Sequence, residues 1–147
     1  LDAALDALAE PPAPDVLRVR LAFGAGADLD LYVTDLGRRG NETVYFARHT
    51  SRTGGKFVHD ARCRDPSPRI DAAVFEAPLP EGVRIGVDYH TSCTAESRPE
   101  PFVVEAARGA QRERRRGIAI PGHFDDRFWM VGTGGDSLED QYAPNVK

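Results

Sequence analysis

Residues 27 to 34 read Ala-Asp-Leu-Asp-Leu-Tyr-Val-Thr, apolar at every odd position and mostly polar at every even one. A period of two is the pattern of a strand with one face in a core. The other face is the unusual one, because Asp is a poor strand former. Asp28 and Asp30 point the same way, about 7 Å apart along the strand. They repel unless a cation, a cluster of donors or bulk water lies between them. Spacing alone favours a solvated polar face over a cation site. A calcium-like ion needs about six oxygen ligands, and two side chains are a poor start.

The rest of the chain repeats the short-strand pattern. Alternation runs through Leu17, Val19, Leu21 and Phe23, and again through Val83, Ile85, Val87 and Tyr89. Shorter runs cover 43–47, 56–60, 70–75, 101–107, 112–120 and 127–132, with Ile70, Ala72 and Val74 sharing one face of the third of these. The 14 Gly and 11 Pro fall largely between the runs, where turns belong. About eight or nine short strands predict an all-β, antiparallel β-sandwich. Ahead of it, Leu1, Leu5 and Leu8 lie at helical spacing before Pro11, Pro12 and Pro14. The expected division is a helical extension and Pro-rich linker over 1–14, a sandwich over 15–133 and a polar tail over 134–147. The extension reads as an upstream helix or stalk, with a partner-docking helix as the second reading.

A length of 147 residues suits one domain with a sizeable core. Net charge is −4 with both signs interspersed, which argues against nucleic acid as a partner. No apolar run is long enough for membrane insertion as a helix. The chain opens without Met or a signal peptide, and a piece of a longer precursor is expected.

Chemistry-bearing motifs are few. Gly-x-Ser-x-Gly and His-Glu-x-x-His are both absent from the sequence. His90 and Cys93 sit three apart in a loop region, which is not the fixed geometry that activates a nucleophile. A non-catalytic role is therefore expected. Cys63 and Cys93 suit a disulfide, which would stabilise by about 3–4 kcal/mol and imply an oxidising compartment. Two reduced thiols, or a zinc site with His59 and His90, stay open as alternatives. Arg112, Arg114, Arg115 and Arg116 form a dense basic run that reads first as a charged edge strand and second as a patch for an anionic partner.

Taken in order, several motifs act as a set. They are Gly26-Ala27-Asp28-Leu29-Asp30-Leu31-Tyr32-Val33-Thr34-Asp35, then Val44-Tyr45-Phe46, then Gly54-Gly55-Lys56-Phe57-Val58-His59-Asp60. Ala77-Pro78, Pro80-Glu81-Gly82, the Val83 to Tyr89 strand and Trp129 follow. Over roughly 16 to 131 this series resembles the YfaP-like bacterial domains of the DUF2135 type. The acidic strand is more distantly similar to that of TerD-type calcium-binding sandwiches. The resemblance implies a non-catalytic β-sandwich of extracytoplasmic proteins, often joined to other modules. It also implies that Asp28, Asp30 and Asp60 converge on calcium, with carbonyls near Gly26 and Gly54-Gly55 completing the shell, and it tips the balance from a solvated face to a cation. Three positions depart from the family pattern: Arg69 stands where an acid is usual, Arg84 where Tyr is, and Leu36 where Pro is.

The expected function is a binding or structural module stabilised by calcium, with a protein or carbohydrate ligand or neighbouring domains as partners. An accessory domain of an enzyme such as a peptidase, and a subunit docked through the N-terminal helix, are the alternatives.

Overall fold

The alternating stretch forms β2 (Ala27–Leu36), with Leu29, Leu31 and Val33 wholly buried on its inner face. The structure is a computed structural model and describes residues 1–7, 10–37, 41–130 and 139–140. It is the antiparallel all-β sandwich that the strand pattern predicts. One sheet runs β4 (Gly55–His59), β5 (Arg69–Glu76), β1 (Val16–Phe23), β7 (Glu100–Arg108) and β8 (Gln111–Ala119). The other runs β10 (Glu139–Asp140), β9 (Phe124–Met130), β6 (Gly82–Ser92), β2 and β3 (Glu42–Val44). The two-residue β10 pairs with β9 inside the segment expected to be a polar tail. Residues 134–138 and 141–147 of that segment lie outside the described residues.

The core forms where the inner faces meet. Leu17, Val19, Leu21 and Phe23 of β1 pack with Phe75 of β5 and Phe102 and Val104 of β7. From the other sheet come the β2 aliphatics, Val83, Ile85 and Val87 of β6, and Trp129 of β9. In β5 the inward residues are Asp71, Ala73 and Phe75, in phase with the core residues of β1. Ile70 belongs instead to the outer face of the first sheet, where it packs against a small second cluster. A short strand carries two candidate faces, and the aromatic ring of Phe75 decides which one turns inward.

The N-terminal helix does not project as a stalk. α1 (Asp2–Ala7) lies on the outer face of the first sheet, with Leu5 fully buried against Ala22 and Val103. Leu8 lies outside the described residues, and Leu1 stays 36 % exposed, so among the described residues Leu5 is the leucine that anchors the helix. Charge completes the attachment. Arg114 bonds Asp6 at 2.6 Å, Arg116 bonds Asp2, and Arg112 lies 3.7 Å from Asp6. Arg115 points the other way, its guanidinium 4.3 Å from the Trp129 ring centroid. The basic run is thus an edge strand whose charges the chain's own acids meet.

Beneath α1 lies Glu105, fully buried. Arg20 donates to it at 2.6 Å and Arg114 at 2.8 Å, while Arg20 also donates to the Leu5 carbonyl at 3.0 Å. Burial works to raise the Glu105 carboxyl, but the bonds from Arg20 and Arg114 outweigh it and hold the group below its ordinary value. Glu105→Ala leaves the 3 % exposed Arg20 without its carboxylate. A loss of about 3–5 kcal/mol in urea unfolding is expected, and a loss under about 1 kcal/mol would mean that the arginines simply rehydrate.

Candidate cation site

Asp30 lies on the outer face of β2, yet it is only 4 % exposed. Two features of the fold bury it. β3 pairs with β2 only at Val33, Thr34 and Asp35, so the earlier half of that edge of β2 has no strand beside it. Asp71 fills this gap from the other sheet. Its Oδ2 accepts the Leu31 N–H at 3.2 Å, and its Oδ1 accepts the Ala61 N–H at 2.8 Å. The loop after β4 is thereby tied to the edge of β2, and it carries Asp60. Ligand atoms of Asp30, Asp60 and Asp71 all lie within 4.8 Å of one another.

On the opposite flank β2 pairs with β6, where Asp88 stands directly across from Asp30. The register shifts between Asp28 and Leu29, leaving His90 as the extra residue of a bulge in β6. The bulge turns the His90 ring toward Asp30, with Nδ1 3.3 Å from Oδ2. Asp30, Asp88 and His90 form a second set within the same 4.8 Å limit.

Five carboxylates therefore surround this part of β2: Asp28, Asp30, Asp60, Asp71 and Asp88. Two arginines oppose them. Arg62 bonds Asp60 at 2.7 Å, and the charge of Arg69 reaches Asp28. The imbalance is visible in the acids themselves. Burial pushes Asp30 up to about 7, and the Asp28 charge adds to it, with His90 pulling the other way. Burial pushes Asp71 up to about 8 against the two backbone N–H bonds that favour its charge. Asp28 is also raised, first by burial. Asp28 Oδ1, Asp30 Oδ2 and Asp60 Oδ1 are buried and accept no hydrogen bond. Orphaned carboxylate oxygens cost far more than paired ones, so they point to a group that fills the space between them.

The residues fit a dication. Asp30, Asp60 and Asp71 offer only oxygens, the donor set of a hard ion such as calcium. Of the three expected ligands, Asp30 and Asp60 come together, and Asp28 stands beside them with an orphaned oxygen of its own. Gly54 and Gly55 lie at the far end of β4 from Asp60, roughly 17–20 Å away at strand rise, and do not serve the shell. They serve a turn instead, with Gly54 at φ 92°. The Gly26 carbonyl already accepts the Cys93 N–H at 2.9 Å.

Asp71, Asp88 and His90 are members that sequence reasoning missed. Asp71 had a readable signal, since it shares the 71, 73, 75 register with Phe75. Asp88 and His90 had none, because strand pairing and a bulge bring them to Asp30.

Arg69 binds backbone carbonyls. Its guanidinium donates to Cys63 O at 2.6 Å, Asp65 O at 3.0 Å and Gly24 O at 3.0 Å. Beside it Cys63 and Cys93 form the expected disulfide, with Cα atoms 5.4 Å apart. The bond links the Asp60 loop to the His90 end of β6 and consumes both thiols, which removes the zinc arrangement with His59 and the Cys93–His90 nucleophile pair. His59 Nδ1 meets the Ile70 carbonyl. No protein-family model matches the chain, and no curated protein matches it by sequence.

The raised acids set a pH dependence. A carboxyl with a raised folded value holds its proton more tightly folded than unfolded, so its contribution to stability is complete below the ordinary value of 3.8 and is lost as pH rises through 7 to 8. Chelator-treated protein is expected to melt at a higher temperature near pH 5 than near pH 8. A melting temperature that is flat or rises over this window would contradict the charge imbalance.

Proposed function

We propose that this chain is a non-catalytic binding or structural module of an extracytoplasmic protein, held together by calcium at the edge of β2. The observation that carries this reading is the set of buried carboxylate oxygens on Asp28, Asp30 and Asp60 that accept no hydrogen bond. Asp30, Asp60 and Asp71 are the ligands, with Asp28 beside them, and water completes the six to eight oxygens that calcium takes. The ion ties β2 to β5 and to the loop after β4. It neutralises acids that otherwise repel.

The disulfide supports an oxidising compartment. Among the described residues no helix is long and apolar enough to cross a membrane. The ligand surface is the outer face of the second sheet. There Tyr32 stacks on Tyr45 at 4.8 Å between ring centroids, and Phe124 meets Tyr32 edge-on at 5.3 Å. The Phe124 ring lies over Gly86, where a Cβ would come within 2.1 Å of it, and remains 50 % exposed. A half-exposed aromatic row beside a bound ion suits a protein or carbohydrate ligand.

Asp30→Asn separates this reading from a merely structural role for the acid. With chelator present the variant is expected to melt higher than the parent at pH 8, because one source of repulsion is gone. With calcium at about a hundred times its dissociation constant, the parent gains about 2.7 kcal/mol, roughly 8–10 °C in melting temperature for a domain of this size. The variant gains little. A parent protein whose melting temperature ignores millimolar calcium would refute the proposal.

A further inference from the structure

The oxygen-only set does not use all the donors around Asp30. Asp88 and His90 lie on the other flank of β2, in a group that shares Asp30 and contains a nitrogen. We propose that Asp30, Asp88 and His90 form a second cation position that takes a first-row transition-metal dication, such as zinc or manganese.

Three observations carry it. Asp30 and Asp88 are directly opposed across the β2–β6 ladder, where like charges destabilise a sheet unless something lies between them. Asp30 Oδ2 is buried in a residue only 4 % exposed, accepts no hydrogen bond, and is the oxygen that faces His90. The third is the bulge. A regular ladder would set His90 directly opposite Asp28, but the register shift gives that place to Thr91 and leaves His90 as the extra residue, with its ring at Asp30. Bulges next to functional sites commonly re-aim a side chain in this way.

The donor chemistry selects the ion class. Two carboxylates and an imidazole suit zinc, manganese, cobalt or nickel, whereas calcium favours an all-oxygen shell. The His90 side chain is 45 % exposed and Asp88 is half-buried, so this position opens toward solvent. The Phe46 ring stands 5.7 Å from the imidazole, and Phe124 pairs with Asp88 across the β6–β9 ladder. Remaining coordination positions therefore face the aromatic row, where an external ligand has room to reach the metal. Asp30 joins the two positions, as a carboxylate does in two-metal sites.

The test is calorimetric titration of chelator-treated full chain with zinc and with manganese, repeated in saturating calcium. One ion per chain is expected in both conditions. His90→Gln and Asp88→Asn are each expected to weaken transition-metal binding at least tenfold, while the control His49→Gln leaves it within about twofold. Cobalt supplies an independent readout, since its visible absorption changes when an imidazole nitrogen binds, and that change is expected to vanish in His90→Gln. Calcium titration of His90→Gln keeps the two readings apart. Retained calcium binding with lost zinc binding assigns the two positions to different ions. Zinc binding that depends on His90 in a protein that ignores calcium sinks the calcium reading alone. Absent zinc and manganese binding, or binding that survives both His90→Gln and Asp88→Asn, overturns this second position.

Discussion

The repulsion among the acids around Asp30 is the constraint to which this end of the sandwich is built. Like charges could have been distributed over the surface, where water screens them. Here they are withdrawn from it: Asp71 is fully buried and Asp28 and Asp30 are each 4 % exposed. The backbone is arranged to tolerate this. Each Asp71 oxygen accepts one backbone N–H, from Leu31 and from Ala61, at a stretch of β2 that β3 does not reach. Arg62 takes up one face of Asp60, and Arg69 lends charge from beneath. What protein donors leave undone is concentrated in oxygens of Asp28, Asp30 and Asp60.

The opposite face of the molecule solves a similar problem with protein alone. Glu105 is as buried as Asp71, but Arg20 and Arg114 satisfy it directly. The two acids move in opposite directions for that reason, Asp71 above its ordinary value and Glu105 below. Both sit on strands of the same sheet, one facing inward and one outward. The contrast shows that burial does not decide whether an acid is at ease, but that the presence of a fixed cation beside it does.

Alternation was enough to read the fold from residues such as Leu17, Leu29 and Val83, because a strand with one buried face writes its period into the chain. The pairing of cysteines was legible for a similar reason, there being only two. The site was half legible. Asp28, Asp30 and Asp60 stand out as acids in or next to strands, where acids are disfavoured. Asp71 was obscured by an equally plausible face through Ile70, Ala72 and Val74. Asp88 and His90 depend on which strand lies beside β2 and on a single inserted residue, and no local pattern encodes either. The helix was visible in Leu1, Leu5 and Leu8, but not its destination, since a leucine spacing does not name the surface it will cover.

The cystine and Arg69 have a consequence for the segments that carry these acids. Cys63 follows the Asp60 loop, Cys93 follows His90, and the Arg69 guanidinium grips carbonyls of Cys63, Asp65 and Gly24. The segments bearing Asp60 and His90 are thus fastened to one another by bonds that owe nothing to an ion. On the calcium reading proposed above, the protein would lose little conformational entropy in ordering these donors around an ion. Segments so fastened would also contract little around a smaller ion, so radius would count in the choice of ion as much as donor chemistry does.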